Sequence, residues 1–283
     1  MARIYKSEEG GRRLIGAYKT ALAAWPVPCE HLVLPTSQGE TFVVACGDKQ
    51  APPLLLLHGA GANTLVWMRD VAAWSAHFRV YAIDIIGEPG LSAPSRPSLT
   101  SDKYGRWLCE VMDGLSLTKA SVVGVSFGGW LALDFATRFP ERVSKLALLC
   151  PGGVGRQRLS FLLKASLLLL LGDWGRRKTL ALALGPEAKN FTPQALAYIL
   201  ALSKEFKPRA NKLPVFRDKV LRRLAMPVLL IVGNLDAMLD SAETFRRLQN
   251  AVPKLQAHCL PKIGHLITGQ TDTILGFLRG AES

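Results

Sequence analysis

Four consecutive leucines, Leu54–Leu57, run straight into His58-Gly59-Ala60-Gly61. A run apolar at every position, with no polar alternate, suits a strand covered on both faces. Such strands belong to parallel sheets, which need helices for their connections. The rest of the chain keeps that rule. Val80–Ile83, Ser121–Gly124, Val143–Leu149, Val228–Val232 and Leu255–Leu260 read as further strands. Leu65–Ser75, Asp102–Leu115, Gly128–Arg138, Ala242–Ala251 and Thr271–Leu278 read as the helices between and after them. His31–Leu34 and Thr41–Cys46, split by Ser37-Gln38-Gly39, read as a hairpin. Residues 8–24 suit an amphipathic leading helix closed by Pro26 and Pro28. The expected class is α/β: a mostly parallel central sheet with helices on both faces. At 283 residues and 49% hydrophobic, the chain can bury a large core and is not a disordered polymer.

The alternation stops between about Pro151 and Met226. No convincing strand lies there, the segment is rich in leucine, and Pro186, Pro193, Pro208 and Pro214 punctuate it. It reads as an inserted helical cap over 151–226, dividing a core of 1–150 and 227–283, with 1–30 as a helical extension. The cap holds 15 Lys+Arg against 4 Asp+Glu, so +11 of the chain's net +13 sits in it.

That imbalance has several readings. The plainest gives the leucines of 159–171 to a cap helix that packs on its neighbours and lines an apolar pocket. Arg156, Arg158, Arg176, Arg177, Lys178, Arg222 and Arg223 also suit peripheral contact with anionic lipid, or attraction of an acidic substrate. Nucleic acid is not expected, since no binding motif accompanies the charge. The most apolar run, Leu159–Leu171, is 13 residues and contains Lys164, too short for a span of roughly 20. MARIYKSEEGGRR has no apolar signal core. The five cysteines are scattered, with no CxxC pair. A reduced, cytoplasmic protein without a zinc site is the expectation.

The chemistry gathers where strands end. Gly124-Val125-Ser126-Phe127-Gly128-Gly129 joins a strand to a helix. A turn that sharp strains its central residue, lifts the serine hydroxyl off the sheet edge and needs small neighbours on both sides. A serine nucleophile needs a base. Of five histidines, only His58 and His265 follow strand ends, where ligands meet an open parallel sheet. The loop glycines beside His58 suit another role, so His265 is the expected base. An orienting carboxylate comes from Asp236, after the strand ending in Gly233, with Asp240 as the alternative or as a helix cap. The position after Val143–Leu149 holds Cys150 and no acid. Phe127 and Ala60 N–H groups are the expected oxyanion donors, with Gly59 letting backbone approach substrate closely. Trp67, Met68 and Trp130 are either pocket walls or core.

The order HGAG, GVSFGG, GNLD and GH, on alternating strands and helices from about residue 31 to 280, resembles the α/β-hydrolase superfamily. WPVP, APPLLLLHGA and DIIG further resemble a group of bacterial carboxylesterases. The resemblance implies a Ser126–His265–Asp236 triad, an acyl-enzyme, no metal or organic cofactor, and a helical cap between the sixth and seventh main strands. The substrate would be a small ester with an apolar acyl or aryl group. The alternatives are a carbon–carbon hydrolase, lactonase or perhydrolase on the same triad, or a non-catalytic binding protein. Asp84-Ile-Ile-Gly87-Glu-Pro-Gly90-Leu-Ser92 is one residue longer than the superfamily's usual D-x-x-G-x-G-x-S loop, which bears on specificity. Serine at 126 disfavours dehalogenase and epoxide hydrolase chemistry, which use aspartate there.

Overall fold

Among the described residues, eight strands form one sheet in the order β1 (Cys29–Leu34), β2 (Thr41–Cys46), β4 (Arg79–Ile83), β3 (Pro53–Leu57), β5 (Ala120–Val125), β6 (Val143–Leu149), β7 (Val228–Gly233), β8 (Leu255–Leu260). β1 and β2 pair antiparallel, as do β2 and β4, and every other neighbour is parallel. This is a computed structural model. It describes residues 4–280 except residue 210, with the backbone only at 190, so the expected core's outermost residues, 1–3 and 281–283, lie outside it.

The four-leucine run has a direct physical cause. Leu54 and Leu56 enter the cluster on one face, Leu55 and Leu57 the cluster on the other, and all are fully buried. β4 divides likewise, Val80 and Ala82 against Tyr81 and Ile83. One face is covered by α3 (Lys103–Gly114), α4 (Phe127–Arg138), α8 (Asp218–Leu221) and α9 (Ser241–Ala251). The other is covered by α1 (Glu8–Leu22), α2 (Val71–Ser75) and α10 (Thr271–Arg279). α1 is capped by Ser7, whose Oγ accepts the Gly10 N–H, and it starts on Glu8 and Glu9, which favour the positive helix end. Its Tyr18 hydroxyl reaches the buried Asp84 carboxylate at 2.9 Å, tying the extension to the loop after β4.

Leu65–Ser75 is not the single helix its pattern suggests. A 3₁₀ turn spans Thr64–Trp67, capped by Asn63, and α2 restarts at Val71. Between β6 and β7 lie α5 (Leu159–Leu169), α6 (Gly172–Leu184), α7 (Pro193–Glu205) and α8, with no strand among the described residues. Leu221 and Leu224 join the sheet-facing core, whereas α5 buries only Phe161 and Ala165. Leu159, Leu162, Leu163, Leu167 and Leu169 of α5 are exposed and Leu168 is half-buried, so most of its leucines are not packed on neighbours as the plainest reading of that segment expects.

Candidate active site

β5 delivers the chain to Ser126 in a strained conformation, φ +53° and ψ −108°. The flanking glycines are demanded by contact. A Cβ on Gly124 would stand 2.5 Å from the Gly128 carbonyl, and one on Gly128 would stand 2.1 Å from that of Leu57. The turn is pinned by Ser126 N–H to the Leu149 carbonyl (2.9 Å) and by Trp130 and Gly152 N–H groups to the Ser126 carbonyl.

Two loops bring the partners in. After β7, Asn234 N–H donates to the Leu260 carbonyl and Leu235 N–H to that of Ile263, while Asn234 Oδ1 accepts the Lys262 N–H. The β7 and β8 loops are thus zipped together. Gly233 has no room for a Cβ, which would sit 2.3 Å from the Gly264 carbonyl. The zip sets Asp236 Oδ2 2.7 Å from His265 Nδ1, and His265 Nε2 2.9 Å from Ser126 Oγ. Asp236 is almost wholly buried, and its Oδ1 accepts the Met238 and Leu239 N–H groups. Burial pushes its pKa up, but the His265 bond and those N–H groups outweigh this and hold it below the usual range. Burial lowers the His265 pKa, and hydrogen bonding to Asp236, with Cys150 close by, more than offsets it, leaving it raised. Asp240 stands apart: it caps α9, its Oδ1 accepting the Glu243 N–H at 2.9 Å.

The loop after β3 lies against the serine, since a Cβ on Gly59 would be 3.7 Å from that of Ser126. Ala60 is exposed at its turn. Phe127 opens α4, where helix geometry leaves the N–H without an intrahelical partner. His58 is fully buried, its Nε2 accepts the Ile85 N–H at 2.9 Å, and its Nδ1 donates to the Gly59 carbonyl at 2.8 Å. Burial pushes its pKa down to about 4, so it is a neutral post under the loop. Trp130 and Trp67 are both core. Trp130 stacks on Phe127 and Phe216 and donates to the Pro214 carbonyl; Trp67 packs on Trp74 in the opposite cluster. Their expected place as pocket walls gives way to packing. Met68 is half-buried beside that second cluster.

Two further residues, to which the sequence assigns no role, stand close to these loops. Glu88, buried in the longer loop after β4, accepts the Gly61 N–H on Oε2 at 2.7 Å, and its Oε1 has no hydrogen-bond partner among the described residues. Burial pushes its pKa up to about 7. Its signal was an acid inside an otherwise apolar and glycine-rich loop. Cys150, buried at the end of β6 with φ +43°, places its sulfur within 4.8 Å of the Asp236 and His265 polar atoms. Only its position after an apolar strand pointed there.

Comparison with known proteins agrees with this architecture. A family model described as "Alpha/beta hydrolase family" matches residues 54–274. Two Bacillus subtilis proteins align over nearly the whole chain. "Carboxylesterase YbfK" is 32% identical over 98% of this chain and 97% of its own, and "Uncharacterized carboxylesterase nap" is 31% identical over 94% and 90%. Among solved structures, that of carboxylesterase CesB (YbfK) superposes with a TM-score of 0.85 at 31% identity, covering 96% of this chain and 99% of that one. That of naproxen esterase from the same organism gives 0.86 at 30%, covering 96% and 99%. The chain belongs to the alpha/beta hydrolase family.

Proposed function

We propose that this protein is a carboxylesterase acting through Ser126, His265 and Asp236. The observation that carries the reading is the unbroken relay from Asp236 Oδ2 through His265 to Ser126 Oγ, at 2.7 and 2.9 Å, on a strained strand-to-helix turn. Near-full-length similarity to proteins named carboxylesterases supports the ester bond as the target.

Ser126 Oγ attacks the ester carbonyl while His265 Nε2 takes its proton. The negative charge forming on the carbonyl oxygen is held by the N–H groups of Phe127 and Ala60. The tetrahedral intermediate expels the alcohol, which leaves with the proton from His265. Water then attacks the acyl-enzyme, giving its proton to His265, and the acid departs as that proton returns to Ser126. Asp236 keeps the Nδ1 proton in place and stabilises the imidazolium that forms twice per cycle. Glu88 acts on Gly61 and so positions the Ala60 turn. In this reading the substrate is a small ester with an apolar acyl or aryl group. Five free cysteines fit a reduced, cytoplasmic setting.

Hydrolysis of p-nitrophenyl esters of increasing chain length by wild type and Ser126→Ala tests the reading. Wild-type turnover, with a fall of several orders of magnitude in the variant, is expected. Wild-type inactivity on every ester, with turnover of vinylogous diketones, would replace it with carbon–carbon hydrolysis.

A further inference from the structure

The α5–α6 hairpin exposes more large apolar surface than a water-soluble cap helix has reason to. Leu167 is 67% exposed, Leu170 81%, Leu171 58% and Trp174 56%. Leu159, Leu163 and Leu169 are exposed as well. Only Phe161 and Ala165 of α5 are buried, a single contact stripe at i and i+4. Successive helical residues are turned by about 100°, so the exposed leucines spread over roughly half the helix circumference. Leu171 and Trp174 continue them around the connecting turn. Contiguous exposed apolar patches on soluble domains mark surfaces that another phase or partner covers.

Charge selects the occupant. Between residues 156 and 184 there are 6 Lys+Arg and 1 Asp+Glu. Lys164, Arg177 and Lys178 are exposed beside the leucines, and Lys178 stands 5.7 Å from the Trp174 ring centroid. A tryptophan at the border of an apolar patch and a basic rim is suited to a headgroup boundary. A rigid partner would cover one side of such a tip, whereas fluid acyl chains surround it. From this we infer that the α5–α6 tip is a reversible docking surface for anionic lipid bilayers. The opposite end of the hairpin rests on the His265 loop: the Leu266 N–H donates to the Leu184 carbonyl, and the Gly264 N–H donates to the Glu187 carboxylate just beyond α6, both at 3.2 Å. The 13 residues of α6 thus set that loop about 20 Å from the lipid-facing tip. Docking is independent of the ester-cleaving reading, and Ser126→Ala binds the same vesicles.

The test is co-sedimentation of the full chain with phosphatidylcholine vesicles, with and without phosphatidylglycerol, at low and high salt. Binding only to the phosphatidylglycerol vesicles, weakened by salt, is expected. Each basic residue near the surface contributes about fivefold in affinity. Lys164→Gln/Arg177→Gln/Lys178→Gln together then weaken binding roughly 100-fold. Leu170→Asp/Leu171→Asp abolishes it while leaving thermal unfolding and p-nitrophenyl acetate hydrolysis at wild-type values. Trp174 is exposed whereas Trp25, Trp67, Trp74, Trp107 and Trp130 are buried, so a blue shift in emission on vesicle addition reports the tip itself. No binding to either vesicle overturns the inference, as does equal binding by the leucine variant. Concentration-dependent self-association that the leucine variant loses also overturns it, by assigning the patch to a second copy of the chain.

Discussion

Glu88 offers a quantitative test of how the loop beside the nucleophile is held. Its carboxyl is fully buried, and burial raises its pKa from the usual 4.5 to about 7. Between those values the folded chain keeps a proton that the unfolded chain has released, so stability falls as pH rises through the window. Each pH unit of that window removes about 1.4 kcal/mol, so the whole of it amounts to about 3 kcal/mol. Glu88→Gln keeps an oxygen for the Gly61 N–H and has no charge to bury. Urea unfolding at pH 8 is therefore expected to find the variant more stable by up to about 3 kcal/mol, the gap closing below pH 5. Glu88→Ala removes the acceptor and frees the Ala60 turn, and its kcat falls by up to about 10²–10³, the loss of a full oxyanion donor. Glu88→Gln stays within a few-fold of wild-type turnover. A Gln variant less stable than wild type at pH 8, or a stability gap that ignores pH, would refute the reasoning.

Three further outcomes follow from the geometry. Asp236→Asn lowers kcat/KM by about 10⁴; because Asp236 raises the His265 pKa, the rise of kcat/KM with pH also moves to lower pH, read from a full pH–rate profile. Asp240→Ala costs about 1 kcal/mol of stability in urea titration through loss of the α9 cap and leaves kcat/KM near wild type, separating the two acids. Gly128→Ala drives a Cβ into the Leu57 carbonyl and abolishes turnover, with a lower melting temperature by calorimetry.

Much of this arrangement was readable where one physical demand dictates residue type. Leu54–Leu57 suits a strand covered on both faces, and its leucines do divide between two cores. Glycines at 124 and 128 report backbone contacts that no side chain survives. What could not be read depends on packing between distant segments. Trp67 and Trp130 carry the same apolar signal whether they line a pocket or fill a core, and the two clusters claim them. Leu65–Ser75 has helical periodicity, yet Asn63 starts a 3₁₀ turn that ends at Trp67. The leucines of α5 look like core in sequence because apolarity does not say what covers it. Glu88 meets the Gly61 N–H through the loop after β4, and Cys150 meets Asp236 and His265 because β6 lies between β5 and β7, contacts that no residue pattern announces.

The central claim is that Ser126 carries the acyl group between two half-reactions. Mixing the protein with a slowly hydrolysed p-nitrophenyl ester, quenching in acid and mapping the acylated peptide by mass spectrometry measures this directly. One acyl group on Ser126, absent in Ser126→Ala and accumulating in a burst with p-nitrophenolate, is the predicted result. Turnover without any acyl adduct, or an adduct on another residue such as Cys150, would contradict it.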